Sequence, residues 1–215
     1  MKITATIITL NEERNIARAI ESLRCADEIL IVDSGSVDRT VELAQKLGGR
    51  VIEANWRGFS AQKNWAAEQA SHDWILSLDA DEALSEGLEA EIWNLKKTGP
   101  RFDAYTMPRM ARYLGRWILH SGWYPDRKIR LYRRDKASFV GDFVHESVDV
   151  RGRAGDLENR PSGRRASDNR GSGYLVYIIF LLRHPRAPLP TRGSLPAAPR
   201  YAIPWSRFRS AMASA

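Results

Sequence analysis

Three apolar runs, each ending on polar or acidic side chains, constrain this chain more than any other feature. They are Ile7-Ile8-Thr9-Leu10-Asn11-Glu12, Glu28-Ile29-Leu30-Ile31-Val32-Asp33 and Trp74-Ile75-Leu76-Ser77-Leu78-Asp79-Ala80-Asp81. Helix-like stretches separate them. Ile3 to Thr9 reads as a buried strand, and Asn11-Glu12-Glu13 opens a helix with apolar positions Ile16, Ala17, Ile20 and Leu23. Glu12 and Glu13 then stand in its first turn, where the helix dipole favours acids. Glu28 to Val32 is a second strand, Asp33-Ser34-Gly35-Ser36 a turn, and Val37 to Leu47 a helix closed by Gly48-Gly49. Arg50 to Ala54, His72 to Leu78 and the helices Ser60 to Ala70 and Ser85 to Lys97 continue the alternation up to Gly99-Pro100. Such a pattern predicts an α/β fold: right-handed βαβ units, a mostly parallel sheet and helices on both faces. Ligands bind outside the carboxyl ends of such strands, where Asn11, Asp33, Asp79 and Asp81 all fall.

Beyond residue 100 the pattern changes. Ala104 to Met110, Lys128 to Tyr132 and Val144 to Val150 read as strands with no long helix between them, and Tyr113, Trp117, Trp123 and Tyr124 crowd the region. An antiparallel subregion beside the parallel sheet is expected, a surface suited to a second substrate.

The 215 residues, 43% of them hydrophobic, suffice for one domain with a full core. A single cysteine, Cys25, permits no internal disulfide and points to a reducing compartment. Met1-Lys2-Ile3-Thr4-Ala5 runs straight into a strand pattern, so no signal peptide is read there. The net charge of +7 is unevenly spread: residues 158–215 hold 10 Arg, no Lys, two acids and seven of the ten prolines. That segment has poor periodicity and reads as a disordered tail, or as a segment translated in a shifted frame, rather than as a basic face for nucleic acid. Tyr174 to Leu182, nine residues, is too short to span a bilayer, which needs about 20. A short helix or strand there is the most it supports.

Asp79-Ala80-Asp81 carries the sharpest chemistry. Where a chain turns on leaving a sheet, two carboxylates two residues apart can both face one divalent cation, and oxygen-rich sites suit Mg2+ or Mn2+. An isolated Asp-x-Asp is more often a solvated turn. Here it follows a buried strand, beside two other polar strand ends.

Taken together, six segments resemble a family 2 inverting glycosyltransferase of the GT-A fold, and among these the bacterial lipopolysaccharide-core glycosyltransferases. They are Ala5–Glu13, Val32–Thr40, Gln62-Lys63-Asn64, Leu78–Glu82, Arg130–Arg133 and Val144-His145-Glu146. The resemblance spans residues 1–157: a GT-A domain with a nucleotide-binding part (1–100) and an acceptor-side part (101–157), followed by the tail (158–215). It implies transfer of a sugar, glucose first among the choices, from a UDP-sugar to a lipid-linked lipopolysaccharide inner-core acceptor. The setting implied is cytoplasmic, peripheral on the inner face of the inner membrane, where the tail arginines offer a weak contact with an anionic leaflet.

The resemblance also implies the site. Thr9, Asn11 and Glu12 line the nucleoside pocket and Asp33 accepts a hydrogen bond from uracil, although Asp33 can equally cap its own turn. Asp79 faces ribose or metal, and Asp81 is the direct ligand of Mg2+ or Mn2+. Lys63 is a candidate contact for the diphosphate or the base, and Arg130 a further cation for the phosphates, the alternatives being an exposed helix lysine and a solvated arginine. Glu146 is the general base, with Asp142 the next choice, and His145 a weaker candidate for the metal or for supporting Glu146. Asp38 is left out of the site, since in the first turn of its helix it can serve the dipole alone. Two other readings stand beside this one: a non-enzymatic nucleotide-sugar-binding remnant, and a metal-dependent nucleotidyltransferase. The acidic, glycine-free Thr9-Leu10-Asn11-Glu12-Glu13 argues against the latter.

Overall fold

The computed structural model describes residues 1–113, 116–118, 126–141, 146–157 and 175–179, with backbone alone for 111–113, 116–118 and 175–179. Its centre is β1 (Ile3–Thr9), buried at all seven positions. A strand covered on both faces has no room for the usual polar alternation, which is why its sequence is a nearly continuous apolar run. β1 pairs in parallel with β2 (Glu28–Asp33) on one side and β4 (Trp74–Asp79) on the other, and β2 pairs in parallel with β3 (Arg50–Glu53). The register sets Thr9 opposite Asp33 and Ile8 opposite Asp79. Three of the polar strand ends therefore meet at one edge of the sheet.

The helices α1 (Ile16–Glu21), α2 (Thr40–Lys46), α3 (Phe59–Glu68) and α4 (Glu86–Thr98) fill the two faces. Ile3, Ala5 and Ile7 of β1 pack with Ile16, Ile20, Leu88 and Ile92 on one side. Ile8 turns the other way and packs with Leu30, Val32 and Ala66 of α3. Residues alternate across a strand, so β1 serves both layers. Ser85 caps α4 by accepting from the Leu88 N–H at 3.3 Å.

The α/β expectation holds, and the antiparallel part follows β4 in the sheet. β8 (Asp126–Arg133) pairs antiparallel with β4 and with β6 (Ala104–Tyr113). Two short strands, β7 (Arg116–Ile118) and β11 (Ala154–Asp156), join β6. β12 (Leu175–Ile179) lies between β6 and β5 (Glu82–Leu84), giving the sheet order β3-β2-β1-β4-β8-β6-β12-β5. A separate hairpin consists of β9 (Ala137–Val140) and β10 (Ser147–Val150). β12 falls within the apolar run 174–182; the rest of 158–215 lies outside the described residues, as do Trp123 and Tyr124.

Two helices start later than their sequences suggest. α1 has no acid in its first turn, because Asn11 adopts φ 56° and the Asn15 and Ile16 N–H groups both donate to the Glu12 carbonyl. Glu12 and Glu13 thus lie before the helix. α2 begins at Thr40 rather than Val37, since the Val37 N–H donates to Asn11 Oδ1 and the Arg39 N–H to Glu13 Oε2 across the neighbouring loop. Of the strands that periodicity missed, β5, β7 and β11 are three residues long and β9 four, too short for a period to register.

Candidate active site

Five charged side chains, from α3, β4, β5, β8 and the residue before β10, converge at the carboxyl end of β4. Lys63 of α3, almost wholly buried, places Nζ 2.7 Å from Asp79 Oδ1 and in an ion pair with Glu146 Oε1. Arg130 of β8 donates from Nη2 to Glu82 Oε1 at 2.6 Å and to Asp79 Oδ2 at 3.2 Å. Glu82 returns the contact, its Oε2 accepting the Asp79 N–H at 3.1 Å. Lys63 (1%), Arg130 (5%) and Glu82 (0%) are buried, while Asp79 (26%) and Glu146 (20%) open to solvent. The two cations form a floor and the two carboxylates rise from it. Lys63 also packs its ammonium 5.1 Å from the Phe139 ring centroid.

The electrostatics separate these carboxylates. Burial pushes the Asp79 carboxyl up, but Lys63 and Arg130 outweigh it and hold the group well below the usual carboxylate range. Burial, reinforced by Asp79 and opposed by Arg130, raises Glu82. Arg130 is raised further above its ordinary value: Glu82 and Asp79 overcome the burial that works against its charge. Asp81 differs in kind. Burial, then Asp79, Glu82 and Glu12, push it up to about 7, and among the described residues no cation lies within ion-pair distance of its carboxylate. Its carbonyl is pinned by α1, where Arg18 Nη2 donates at 2.7 Å.

Neighbouring loops are stitched together at the carboxyl ends of β1 and β2. The Asn11 N–H donates to Ser36 Oγ and Asn11 Oδ1 accepts the Val37 N–H, both at 2.8 Å. Glu12 N–H donates to Thr40 Oγ1 at 2.8 Å, and Glu13 N–H to Asp38 Oδ2 at 3.2 Å. Asp33, 1% exposed, accepts from the Gly35 and Ser36 N–H groups and from Ser36 Oγ. The turn-capping alternative for Asp33 is thus what its hydrogen bonds describe, and Asp38 likewise ties Thr40 and Glu13. Thr9 Oγ1 and Gln62 Oε1 are buried there without a partner, as are Arg130 Nε and Glu146 Oε2 near the charged floor.

Residues 142–145, and with them His145 and Asp142, lie outside the described residues. Glu82, Arg18, Ser36, Thr40 and Gln62 were not singled out from sequence. Glu82, Ser36, Thr40 and Gln62 do lie inside segments that carry the family resemblance, which is the signal available for them, whereas Arg18 lies outside those segments. A cleft of ≈ 490 Å³ lined by Lys2, His72, Arg101, Phe102, Arg133 and Arg153 belongs to the opposite edge of the sheet and holds none of these groups.

Among the described residues no three His, Cys, Asp or Glu side chains cluster as a ready-made metal cage. Both Asp79 oxygens are already occupied by Lys63 and Arg130. The uncompensated Asp81 carboxylate in an acid-rich corner nevertheless fits one divalent ion. Mg2+-type ions are commonly held by one or two carboxylates, with substrate phosphates and water completing the shell.

The model of glycosyl transferase family 2 matches residues 4–146, two thirds of the chain and all of this site. The chain belongs to that family. An uncharacterised glycosyltransferase of Rickettsia typhi is 39% identical over 153 residues, 68% of this chain and 52% of the relative. The lipopolysaccharide core biosynthesis glycosyltransferase LpsC of Rhizobium meliloti is 34% identical over 162 residues, 73% of this chain and 60% of LpsC. The chain thus spans about half the length of the Rickettsia relative. In solved structures, the GT-A architecture recurs in S. aureus TarS 1–349 in complex with UDP-GlcNAc, with TM-score 0.54 and 19% identity over 82% of this chain and 58% of that one. Among the described residues no helix is long and apolar enough to cross a membrane.

Proposed function

We propose that this glycosyltransferase moves a hexose, glucose first among the choices, from a UDP-sugar to a lipid-linked lipopolysaccharide inner-core acceptor, with inversion at the anomeric carbon. The observation that carries the reading is the ion pair between Lys63 and Glu146 beside the unpaired Asp81. It gathers a base, a phosphate-binding cation and a metal ligand at the edge where an α/β sheet takes its ligands. The similarity to LpsC supports the acceptor class.

In this mechanism Thr9, Asn11, Glu12 and Asp33 enclose the nucleoside, Asp33 chiefly by holding the turn that forms the wall. Lys63 and Arg130 lie under the diphosphate. Glu146 takes the acceptor hydroxyl proton as that oxygen bonds to the anomeric carbon. The bond to the diphosphate breaks on the opposite face, and its electron pair leaves with the UDP. A divalent ion bound through Asp81 would supply Lewis-acid withdrawal of charge from the leaving phosphate. Such a reaction belongs on the cytoplasmic side of the inner membrane, consistent with the buried, unpaired Cys25.

The test is turnover of UDP-glucose and other UDP-hexoses with lipopolysaccharide of truncated core as acceptor, with Mn2+ or with chelator. Expected is metal-dependent transfer with inverted linkage, read by NMR of the product. Binding of UDP-sugars without transfer to any core acceptor would contradict the proposal and favour a nucleotide-sugar-binding remnant.

A further inference from the structure

Two large aromatic side chains stand exposed where the chain enters α3, and the mechanism above makes no use of them. Trp56 is 50% and Phe59 39% exposed. Their rings meet edge to face, centroids 4.8 Å apart at 85°. The backbone is shaped for this pairing: Gly58, with φ +93°, turns the chain into α3, and the Gln62 N–H closes the first turn on the Gly58 carbonyl at 2.8 Å. An L side chain at Gly58 would strain that turn.

Their position follows from helical register. Phe59 and Lys63 are four residues apart on α3, so they share a face about one turn apart. Lys63 is the residue that touches both Asp79 and Glu146. Beside Phe59, Ser60 Oγ donates to the Gly141 carbonyl at 2.7 Å, tying the start of α3 to the segment that leads to Glu146. The aromatic pair thus lies about one turn of helix from Lys63, the residue that holds the proposed base. A sugar ring has apolar C–H faces and hydroxyl edges. It stacks on an aromatic face while presenting a hydroxyl to a carboxylate alongside, and an exposed Trp–Phe corner next to a charged floor suits such a ligand.

Building on the function proposed above, we infer that Trp56 and Phe59 form a stacking platform for the acceptor saccharide, holding its ring so that the reacting hydroxyl meets Glu146. Trp56 is a binding and positioning residue and takes no part in proton transfer. Its removal raises the KM for acceptor and leaves donor affinity alone.

The experiment uses the full chain, with indole-15N-labelled tryptophan and the Trp56 signal assigned from Trp56→Phe. The probes are UDP with Mn2+, and the core oligosaccharide released from truncated lipopolysaccharide. Expected is a shift of the Trp56 signal on adding the oligosaccharide, a roughly ten-fold or larger rise in acceptor KM for Trp56→Ala, UDP affinity within two-fold of wild type, and recovery of most acceptor affinity in Trp56→Phe. Wild-type transfer to the oligosaccharide combined with an unchanged acceptor KM in Trp56→Ala overturns the platform and spares the proposed function. Loss of UDP affinity in Trp56→Ala also overturns it, assigning the ring to the nucleobase. Wild-type protein that neither binds nor glycosylates the oligosaccharide overturns the acceptor reading and the platform with it.

Discussion

Lys63 Nζ lies 2.7 Å from Asp79 Oδ1 and pairs at the same time with Glu146, so one buried ammonium joins the end of β4 to the residue that precedes β10. Removing a buried cation leaves its carboxylate partners uncompensated, which costs more than the pair itself is worth. Lys63→Met is therefore expected to destabilise the fold by on the order of 3 kcal/mol. Its UDP affinity should fall as well. Chemical denaturation and calorimetry check both, and a variant with unchanged stability and UDP affinity contradicts the shared role.

Glu82 is fully buried between Arg130 and the Asp79 N–H. Glu82→Gln keeps the size and a hydrogen-bond acceptor but removes the charge that fixes Arg130. The expected outcome is a folded protein with weaker donor binding, while Glu82→Ala, which also strands the Arg130 guanidinium, loses several kcal/mol of stability. Equal stability of the two variants in thermal melts would count against this.

Asp81 presents the opposite case. Its half-buried carboxylate faces the charges of Asp79, Glu82 and Glu12 without a cation in ion-pair reach among the described residues. In chelator, Asp81→Asn is expected to raise the melting temperature by a few degrees, because it relieves that repulsion. The same variant should lose the Mn2+-dependent part of UDP binding. Unchanged UDP affinity with Mn2+, measured by calorimetry, would remove Asp81 as the metal ligand.

Much of this architecture is legible in the sequence because buried parallel strands are long apolar runs and their polar ends are conspicuous. Thr9, Asp33 and Asp79 announce themselves that way, and the register of β1 brings them together. What the sequence hides is the pairing of charges. Nothing local joins Lys63 to Glu146, 83 residues apart, or Arg130 to Glu82, 48 apart. Nor does it show that Asn11 takes a left-handed conformation and turns the chain away from the helix its neighbours seem to begin. A left-handed residue costs asparagine little, and the Val37 N–H and Ser36 Oγ that it meets belong to the next loop.

Glu28 carries the clearest pH dependence of the fold. It opens β2 and accepts from Thr4 Oγ1 at 2.6 Å, from the Ser71 N–H and Oγ at 2.8 Å, and from Arg50. Burial works against its charge, but these donors lower it from 4.5 to about 2. A depressed carboxyl stabilises the fold fully above its unfolded value, and the contribution drains away as pH falls from about 4.5 to about 2. At pH 7 it is worth on the order of 3 kcal/mol. Glu28→Gln should therefore be destabilised at pH 7 and converge on wild type near pH 2. A stability gap that persists unchanged at low pH would show that packing, and not charge, is at work.

The most direct measurement is turnover of Glu146→Gln. This substitution preserves shape and leaves Asp79, Arg130 and Asp81 in place, but cannot accept the acceptor's proton. With UDP-glucose, Mn2+ and truncated-core lipopolysaccharide, the variant is expected to bind UDP within two-fold of wild type and to lose on the order of 10²-fold or more in kcat. Near-normal turnover at undiminished UDP affinity would contradict the account, because proton removal would then rest on a group other than the one Lys63 holds at the mouth of the site.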